Sequence, residues 1–483
     1  MDAMLKNDPQ YTDLRDLLGR IDNMGELVRV DGADWNLEVG GLLDVLYHAE
    51  PKNPPALLFD NLKGYPKGFR ISAGATNSPS RFALIMGLDK PNHPIDPVAG
   101  FVKRMRSGFK PLPSNLVKDG PIFENIQRDD DVDILKFPVP KLHELDGGRY
   151  IGTNDIIIMR DPDTGWVNAA TYRVQAHDRN TTGLWISPGK HGGEILEKYV
   201  ARGQPCPVVI CCGIDPILFL CGGMKIPHGV NEIEYAAGHK GVPFDVVESE
   251  LHKLPIPAHT EVALEGEIYV DQKRPEGPFG EFTGYYASAM REEATVKVRR
   301  VYHRNDPILT TACPMRPPSD YMGAASMMHS ALIWDEMQKA GMAGITGVWV
   351  PWATRMMCFV SIKQMYAGHA KQAAMLAASV QAGAFCARYT VVVDEDIDIT
   401  DADAVLWAMA TRSEPAYDID TVRNTWSTPL DPLLFEAPYQ NTRALIDACR
   451  PWQHRKDFPP VAEASPELRD HIRKKFAHIL NRG

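Results

Sequence analysis

The sequence predicts a mixed α/β (α+β) chain: an N-terminal α/β region, a strand-rich centre that reads as a barrel, and a C-terminal α/β region ending in a helical tail. Three observations carry this reading. Strand-like runs bounded by turn residues dominate 154–310. After Pro318, helical segments alternate with apolar strands. Between Phe109 and Pro140 the prolines thicken, at Pro111, Pro113, Pro121, Pro138 and Pro140, and charge gathers at 128–133, as at a domain edge.

In chain order, residues 11–22 set Leu14, Leu17, Leu18 and Ile21 at helical spacing, and 56–59 is a short apolar strand. This first α/β domain is placed at 1–118. Residues 156–159, a turn over 161–165 and a long aromatic and β-branched run over 166–177 predict a β-hairpin. Strands follow at 207–212, 217–221, 261–270 and 294–302, with helices at 194–202 and 231–240. This barrel domain is placed at 119–312. Helices at 324–340, 365–384 and 402–412 then alternate with strands at 357–362 and 389–393, the pattern of βα units around a partly parallel sheet. The C-terminal domain is placed at 313–460. In the tail, 461–483, Leu468, Ile472, Phe476 and Ile479 recur at helical spacing and suit a contact with a second copy.

A chain of 483 residues, 44% hydrophobic and 24% charged, has the composition of an ordinary soluble protein of two or three domains. Its formal net charge of −10, with no basic run longer than 473–475, argues against nucleic acid and anionic membranes and points to a small-molecule partner. The eight cysteines (Cys206, Cys211, Cys212, Cys221, Cys313, Cys358, Cys386 and Cys449) show no C-x-x-C spacing and read as reduced core residues. No signal peptide is legible, and the most apolar stretch, 208–221, is broken by Asp215 and Pro216, so a cytoplasmic protein without membrane spans is expected.

Several catalytic fingerprints are missing from the sequence: there is no G-x-S-x-G, P-loop, H-E-x-x-H or G-x-G-x-x-G. The acids Asp394, Glu395, Asp396 and Asp398 read as residues ahead of a helix N-terminus rather than as a metal site. The most informative stretch runs Glu276-Gly277-Pro278-Phe279-Gly280-Glu281. Pro278 fixes its own φ and the glycines permit conformations closed to other residues, so a tight turn with both carboxylates on its concave side is expected. Like charges so close raise one pKa, as a general acid near neutral pH requires. The competing reading is a surface turn with two solvated glutamates.

This stretch does not stand alone. Asn168 and Arg173, Lys190-His191, Asn231-Glu232 and the 276–286 segment, ending Thr283-Gly284-Tyr285-Tyr286, occur in an order that resembles the UbiD family of prenylated-flavin-dependent decarboxylases. The resemblance extends from Gly25-Glu26-Leu27-Val28 to Trp407-Ala408-Met409-Ala410-Thr411-Arg412, nearly the whole chain. It implies a central split β-barrel that carries prenylated FMN, and a divalent ion, Mn²⁺ or Mg²⁺, on Asn168, His191 and Glu232. An amide oxygen, an imidazole and a carboxylate suit such an ion better than structural zinc. It also implies K⁺ near Trp166, Cys221, Met224 and Glu232, and cofactor contacts from Arg173, Lys190, Met224 and Arg388, the last to the phosphate.

By the same resemblance Arg173, Glu276 and Glu281 form the catalytic network, with Glu281 supplying the proton that replaces the carboxyl group. Because Asn168 and Arg173 are an odd number of residues apart, a bulge or strand end is expected between them. Tyr286, Met327, Met328 and His329 are expected near the substrate, an aromatic, heteroaromatic or α,β-unsaturated carboxylic acid; the plainer reading is that 327–329 opens the helix reaching Ala340. A flavin prenyltransferase would supply the cofactor, and a homodimer or larger ring is implied. Two other classes stay open: a flavin-free metal-dependent hydrolase, and a subunit of a multi-protein carboxylase complex.

Overall fold

The computed structural model describes residues 11–480 apart from Pro188, Lys225, Ala287, Ser288, Tyr321, Cys386 and Phe435. Its centre is one large sheet in the order Arg149–Gly152, Arg173–Ala176, Thr181–Trp185, Arg291–His303, Val262–Glu276, Cys206–Cys212, Asp155–Arg160 and Val167–Ala170. Asn125–Arg128 pairs alongside Arg291–His303. Connectivity forces this sheet to curl. Val167–Ala170 lies at one end of the order and Arg173–Ala176 next to the other, yet only Thr171 and Tyr172 separate them. Three peptide units reach about 11 Å, whereas six strand spacings in a flat sheet span about 29 Å. The far edges must therefore come together, as in a split barrel.

The run expected as one strand over 166–177 is thus two strands, and the break falls between Asn168 and Arg173 as their odd spacing required. The hairpin itself is present, with Met159 opposite Asn168 and Ile157 opposite Ala170. Both faces of the sheet are covered: Ile156 and Ile158 pack into one core cluster, Ile157 and Met159 into the other. That explains why this strand reads as a continuous apolar run.

The strand expected at 217–221 is corrected to a helix, Pro216–Gly222. Asp215 caps it, accepting the Ile217 N–H at 3.1 Å, and Pro216 occupies the first turn. In so short an apolar run periodicity does not discriminate, and the Asp-Pro start signal decides. The helix expected over 365–384 is two pieces, His369–Ser379 and Gln381–Ala384.

An N-terminal sheet runs Leu27–Asp31, Ala56–Asp60, Arg70–Ala73, Ile308–Thr311, so a strand from the end of the central segment completes it. The C-terminal sheet runs Ile345–Trp349, Met357–Ile362, Tyr389–Asp394, Gln440–Ala448, Ile419–Trp426, with the three inner strands parallel, as the alternating pattern predicted. Arg412 pairs with Asp394 and Asp396, so those acids serve the fold. The tail forms Pro466–Lys475 and Ala477–Leu480 and leaves Leu468, Ile472 and Ile479 exposed. The described cysteines are free and buried; the expectation for Cys386 lies outside the described residues. No described helix is long and apolar enough to cross a membrane.

Candidate active site

Glu276 closes the long strand Val262–Glu276, and Gly277, at φ +79°, turns the chain back. Only glycine adopts that conformation cheaply. The turn is pinned from outside: Gly277 N–H donates to Gln175 Oε1 at 3.2 Å, and Gly147 N–H donates to the Pro278 carbonyl at 2.8 Å. A Cβ on Gly147 would sit 1.9 Å from the Gly277 carbonyl oxygen, so the close approach requires glycine there.

Arg173 opens its strand directly opposite Trp185. Its Nε and Nη2 donate to the two oxygens of Glu276, both at 2.7 Å, and its Nη1 donates to Glu281 Oε1 at 2.8 Å. One guanidinium thus clasps the carboxylates at both ends of the turn, bidentately on Glu276. The Trp185 and Phe279 rings lie 4.9 and 5.0 Å from the guanidinium carbon and wall the cluster in. Glu276 is 0% exposed and Glu281 8%, which excludes the solvated-turn reading. Burial pushes Glu281 up to about 7 against the opposing pull of Arg173, and the charge of Glu276 adds to burial. The sequence argument had charge repulsion as the cause; burial is the larger one.

Arg173 and Glu281 line a cavity with Tyr172, Trp185, Phe279 and Asp155. Asp155 was not singled out from the sequence. It is 1% exposed, its Oδ2 has no hydrogen-bond partner, and burial holds its carboxyl well above the usual range. The signal was present as an acid opening a strand whose next four residues are apolar.

On the neighbouring strand Asn168 Nδ2 donates to Glu232 Oε1 at 2.8 Å, and Ala169 N–H donates to Glu232 Oε2 at 2.8 Å. Asn231 caps the helix Glu232–Lys240 and so fixes where Glu232 projects. Burial pushes Glu232 up to about 7. His191 begins the helix His191–Ala201 and packs against Trp166 and His228, its ring centroid 5.2 Å from Trp166. The Trp166 indole donates to the Val230 carbonyl at 3.1 Å, which ties the His191 side to the approach of Glu232. Burial lowers the His191 pKa, keeping the neutral form that binds metals. Among the described residues no three His, Cys, Asp or Glu side chains converge, so a metal here would depend on the Asn168 amide.

Three family models cover most of the chain: the N-terminal, Rift-related and C-terminal domains of 3-octaprenyl-4-hydroxybenzoate carboxy-lyase, at residues 18–96, 115–317 and 322–448. The chain belongs to the UbiD family. It is 34% identical to a pyrrole-2-carboxylic acid decarboxylase of Pseudomonas aeruginosa, over 84% of each chain. Vanillic acid decarboxylase of Sedimentibacter hydroxybenzoicus in its open form superposes with a TM-score of 0.84 at 28% identity, over 98% of this chain and 100% of that one. An evolved dimeric form of the UbiD-class enzyme HmfF from Pelotomaculum thermopropionicum, in complex with prFMN, superposes at 0.80 with 26% identity, over 95% and 98%.

Of the residues to which the UbiD resemblance assigns roles, the fold brings Arg173, Glu276 and Glu281 into one cluster and Asn168 and Glu232 into another. Arg388 stands apart, its Nη2 donating to Asp431 Oδ1 at 2.7 Å. Met327 and Met328 are buried in the core, inside the helix Met322–Lys339 rather than at its start. Tyr286 is exposed, its ring 6.4 Å from His143. The Trp166 carbonyl accepts the Asp161 N–H and the Cys221 carbonyl the Met224 N–H, so two of the oxygens expected around K⁺ already serve turns. Lys190 is exposed as a residue, yet its ammonium is pushed below the ordinary lysine value by burial and then by the Arg355 guanidinium.

Proposed function

We propose that this chain catalyses the reversible, non-oxidative decarboxylation of an aromatic, heteroaromatic or α,β-unsaturated carboxylic acid with prenylated FMN, with Glu281 as the proton donor. The observation that carries this is one guanidinium clasping two buried carboxylates at the edge of an aromatic-walled cavity. The lining suits a flat ring system: Tyr172, Trp185 and Phe279 contribute aromatic surface, and the orphaned Asp155 Oδ2 offers an uncommitted hydrogen-bonding atom.

Asn168, His191 and Glu232 would hold Mn²⁺ or Mg²⁺ beside the cofactor phosphate, with K⁺ on oxygens of Trp166, Cys221, Met224 and Glu232. The pairing of Asn168 with Glu232 supports the divalent part of this reading. The Asn168 amide nitrogen is committed to Glu232, while Oδ1 accepts a long hydrogen bond from the Tyr172 hydroxyl at 3.5 Å and keeps a second lone pair for a cation, and a buried carboxylate held up near 7 is one whose charge a cation would stabilise. When bound, prenylated FMN supplies the electron sink that lets carbon dioxide leave.

The remaining work falls to side chains. Arg173 fixes Glu281 by a charge-assisted hydrogen bond, and Glu276 fixes Arg173 through two. Burial keeps a proton on Glu281 near neutral pH, and that proton passes to the carbon that lost its carboxyl group. The balance is R–COO⁻ plus H⁺ giving R–H plus CO₂, and the reverse run takes the proton back.

The test is to co-produce the protein with a flavin prenyltransferase, supply Mn²⁺ and K⁺, and record its absorbance spectrum and cofactor mass. Carbon dioxide release would then be followed for pyrrole-2-carboxylate, vanillate and other ring acids. Bound prenylated FMN with turnover is expected. A colourless protein that is nonetheless active would favour the metal-dependent hydrolase.

The exposed apolar side of the tail supports contact with a second copy. Changing Leu468 and Ile472 together to Asp is expected to halve the mass seen by light scattering, or reduce it further. Both side chains are exposed, so the melting temperature should move by no more than about 2 °C. An unchanged mass would assign the tail to its own chain.

A further inference from the structure

Among the described residues two acids line the cavity, Glu281 and Asp155. Arg173 answers the first, and nothing in the fold answers the second. Asp155 is 1% exposed, its Oδ2 has no hydrogen-bond partner among the described residues, and no cation offsets its burial. The polar groups just before it are satisfied: Thr153 Oγ1 accepts the Ala312 N–H at 2.9 Å, and the Asn154 carbonyl accepts the Thr310 hydroxyl at 2.7 Å. A buried oxygen left unmatched is costly and calls for a partner. A Cβ on Gly152 would lie 2.6 Å from Asp155 Oδ2, and Gly152 is also in the lining, so no side chain at that position covers the oxygen.

Asp155 shares its hairpin with Asn168, at the end expected to hold the cofactor phosphate. Asn168 stands opposite Met159, four residues on from Asp155, which separates the two positions by roughly 13 Å along the strand. A phosphate held at Asn168 therefore leaves room for the ribityl chain and brings the ring, not the phosphate, toward Asp155 and Arg173. One end of a flavin ring carries methyl groups, and the other carries the imide, an N–H between two carbonyls. An unmatched acid fits only the imide end. Protonated, a carboxyl group presents one donor and one acceptor, the complement of that N–H and a neighbouring carbonyl, and burial favours this form.

We propose that Asp155, as a neutral carboxylic acid, is a cofactor-recognition residue that hydrogen-bonds to the N3–H and an adjacent carbonyl of the flavin. The inference rests on the decarboxylase reading above and concerns how the cofactor is recognised, not how the proton moves.

The experiment measures the binding of FMN and of 3-methyl-FMN to flavin-free protein, by quenching of flavin fluorescence, in wild type, Asp155→Asn and Asp155→Ala. Wild type is expected to bind FMN about ten- to a hundred-fold more tightly than 3-methyl-FMN, the loss of one hydrogen-bonded contact in a buried site. Asp155→Asn keeps a donor and an acceptor in the same place, so it should hold that preference to within about three-fold. Asp155→Ala should abolish it by weakening FMN, with 3-methyl-FMN little changed. The infrared carbonyl bands of bound FMN should move in Asp155→Ala and stay in Asp155→Asn. Without flavin, Asp155→Ala should melt no lower than wild type, because the oxygen it removes has no partner in the fold.

Equal binding of the two flavins by wild type would overturn the proposal. So would a preference that survived in Asp155→Ala: a rise in the KM of the ring acid would then pass Asp155 to the substrate, and a lower melting point of the flavin-free variant would assign it to the fold. Protein that bound neither flavin would sink the decarboxylase reading and this proposal with it, a result distinct from equal binding of both.

Discussion

Glu281→Gln is expected to lower kcat for carbon dioxide release by about 10²–10⁴-fold, the range for loss of a general acid, with bound flavin per protein unchanged. The amide oxygen can still accept the Arg173 Nη1 hydrogen bond that Glu281 accepts at 2.8 Å, so the geometry has reason to persist while the proton does not. The pH dependence follows from burial, which holds Glu281 up to about 7. Below that pH the acid form dominates, and above it kcat should fall about ten-fold per pH unit.

Stability carries the same limb. The folded pKa lies above the ordinary 4.5, so the folded state holds this proton more tightly than the unfolded one. That contribution is fully present below about 4.5 and is lost as pH rises through about 7. Urea midpoints between pH 5 and pH 8 should therefore slope less in Glu281→Gln than in wild type. A variant that kept kcat within five-fold of wild type would remove Glu281 from the chemistry.

Much of this site was legible because its residues are spaced by local rules. The Glu276–Glu281 turn announces itself through Gly277 and Pro278, and the odd interval from Asn168 to Arg173 forecast the strand break that curls the sheet. The helix Ala402–Arg412 and the strand Met357–Ile362 were legible to the residue, because period and flanking signals agree there. Where period was the sole guide, it failed: 217–221 is apolar at every position, and only the Asp215 cap separates helix from strand.

What the sequence did not reveal depends on tertiary approach. Asp155 is unremarkable in the chain and becomes a cavity wall only when the curled sheet closes over it. His329 was expected to meet the substrate, but its nitrogens are occupied by Arg355 and Ala382, residues 26 and 53 positions away. Arg388 was expected to contact the phosphate, and its pairing with Asp431, 43 positions away, could not be read from the chain. Partners so distant in sequence leave no periodic trace.

Arg173→Met should be the most destabilising single change in the site. Removing one partner of a buried ion pair typically costs about 3–5 kcal/mol, because the other charge stays buried and uncompensated. Here two carboxylates are left, on Glu276 at 0% and Glu281 at 8% exposure. Arg173 is among the groups that lower Glu281, so its loss sends that pKa further up and lets Glu281 escape the penalty by taking a proton.

The cost should consequently depend on pH, in a direction fixed by that shift. It should be largest near pH 8, where wild-type Glu281 is ionised against the guanidinium, and smaller near pH 5, where Glu281 is protonated in both proteins. Arg173→Lys keeps the charge but not the fork, so it should fall between wild type and Met. Urea midpoints of the three proteins at the two pH values decide the matter. An identical loss at pH 5 and pH 8 would mean that Arg173 matters for packing against Trp185 and Phe279, and that its hold on the Glu281 proton is not what the fold conserves energetically.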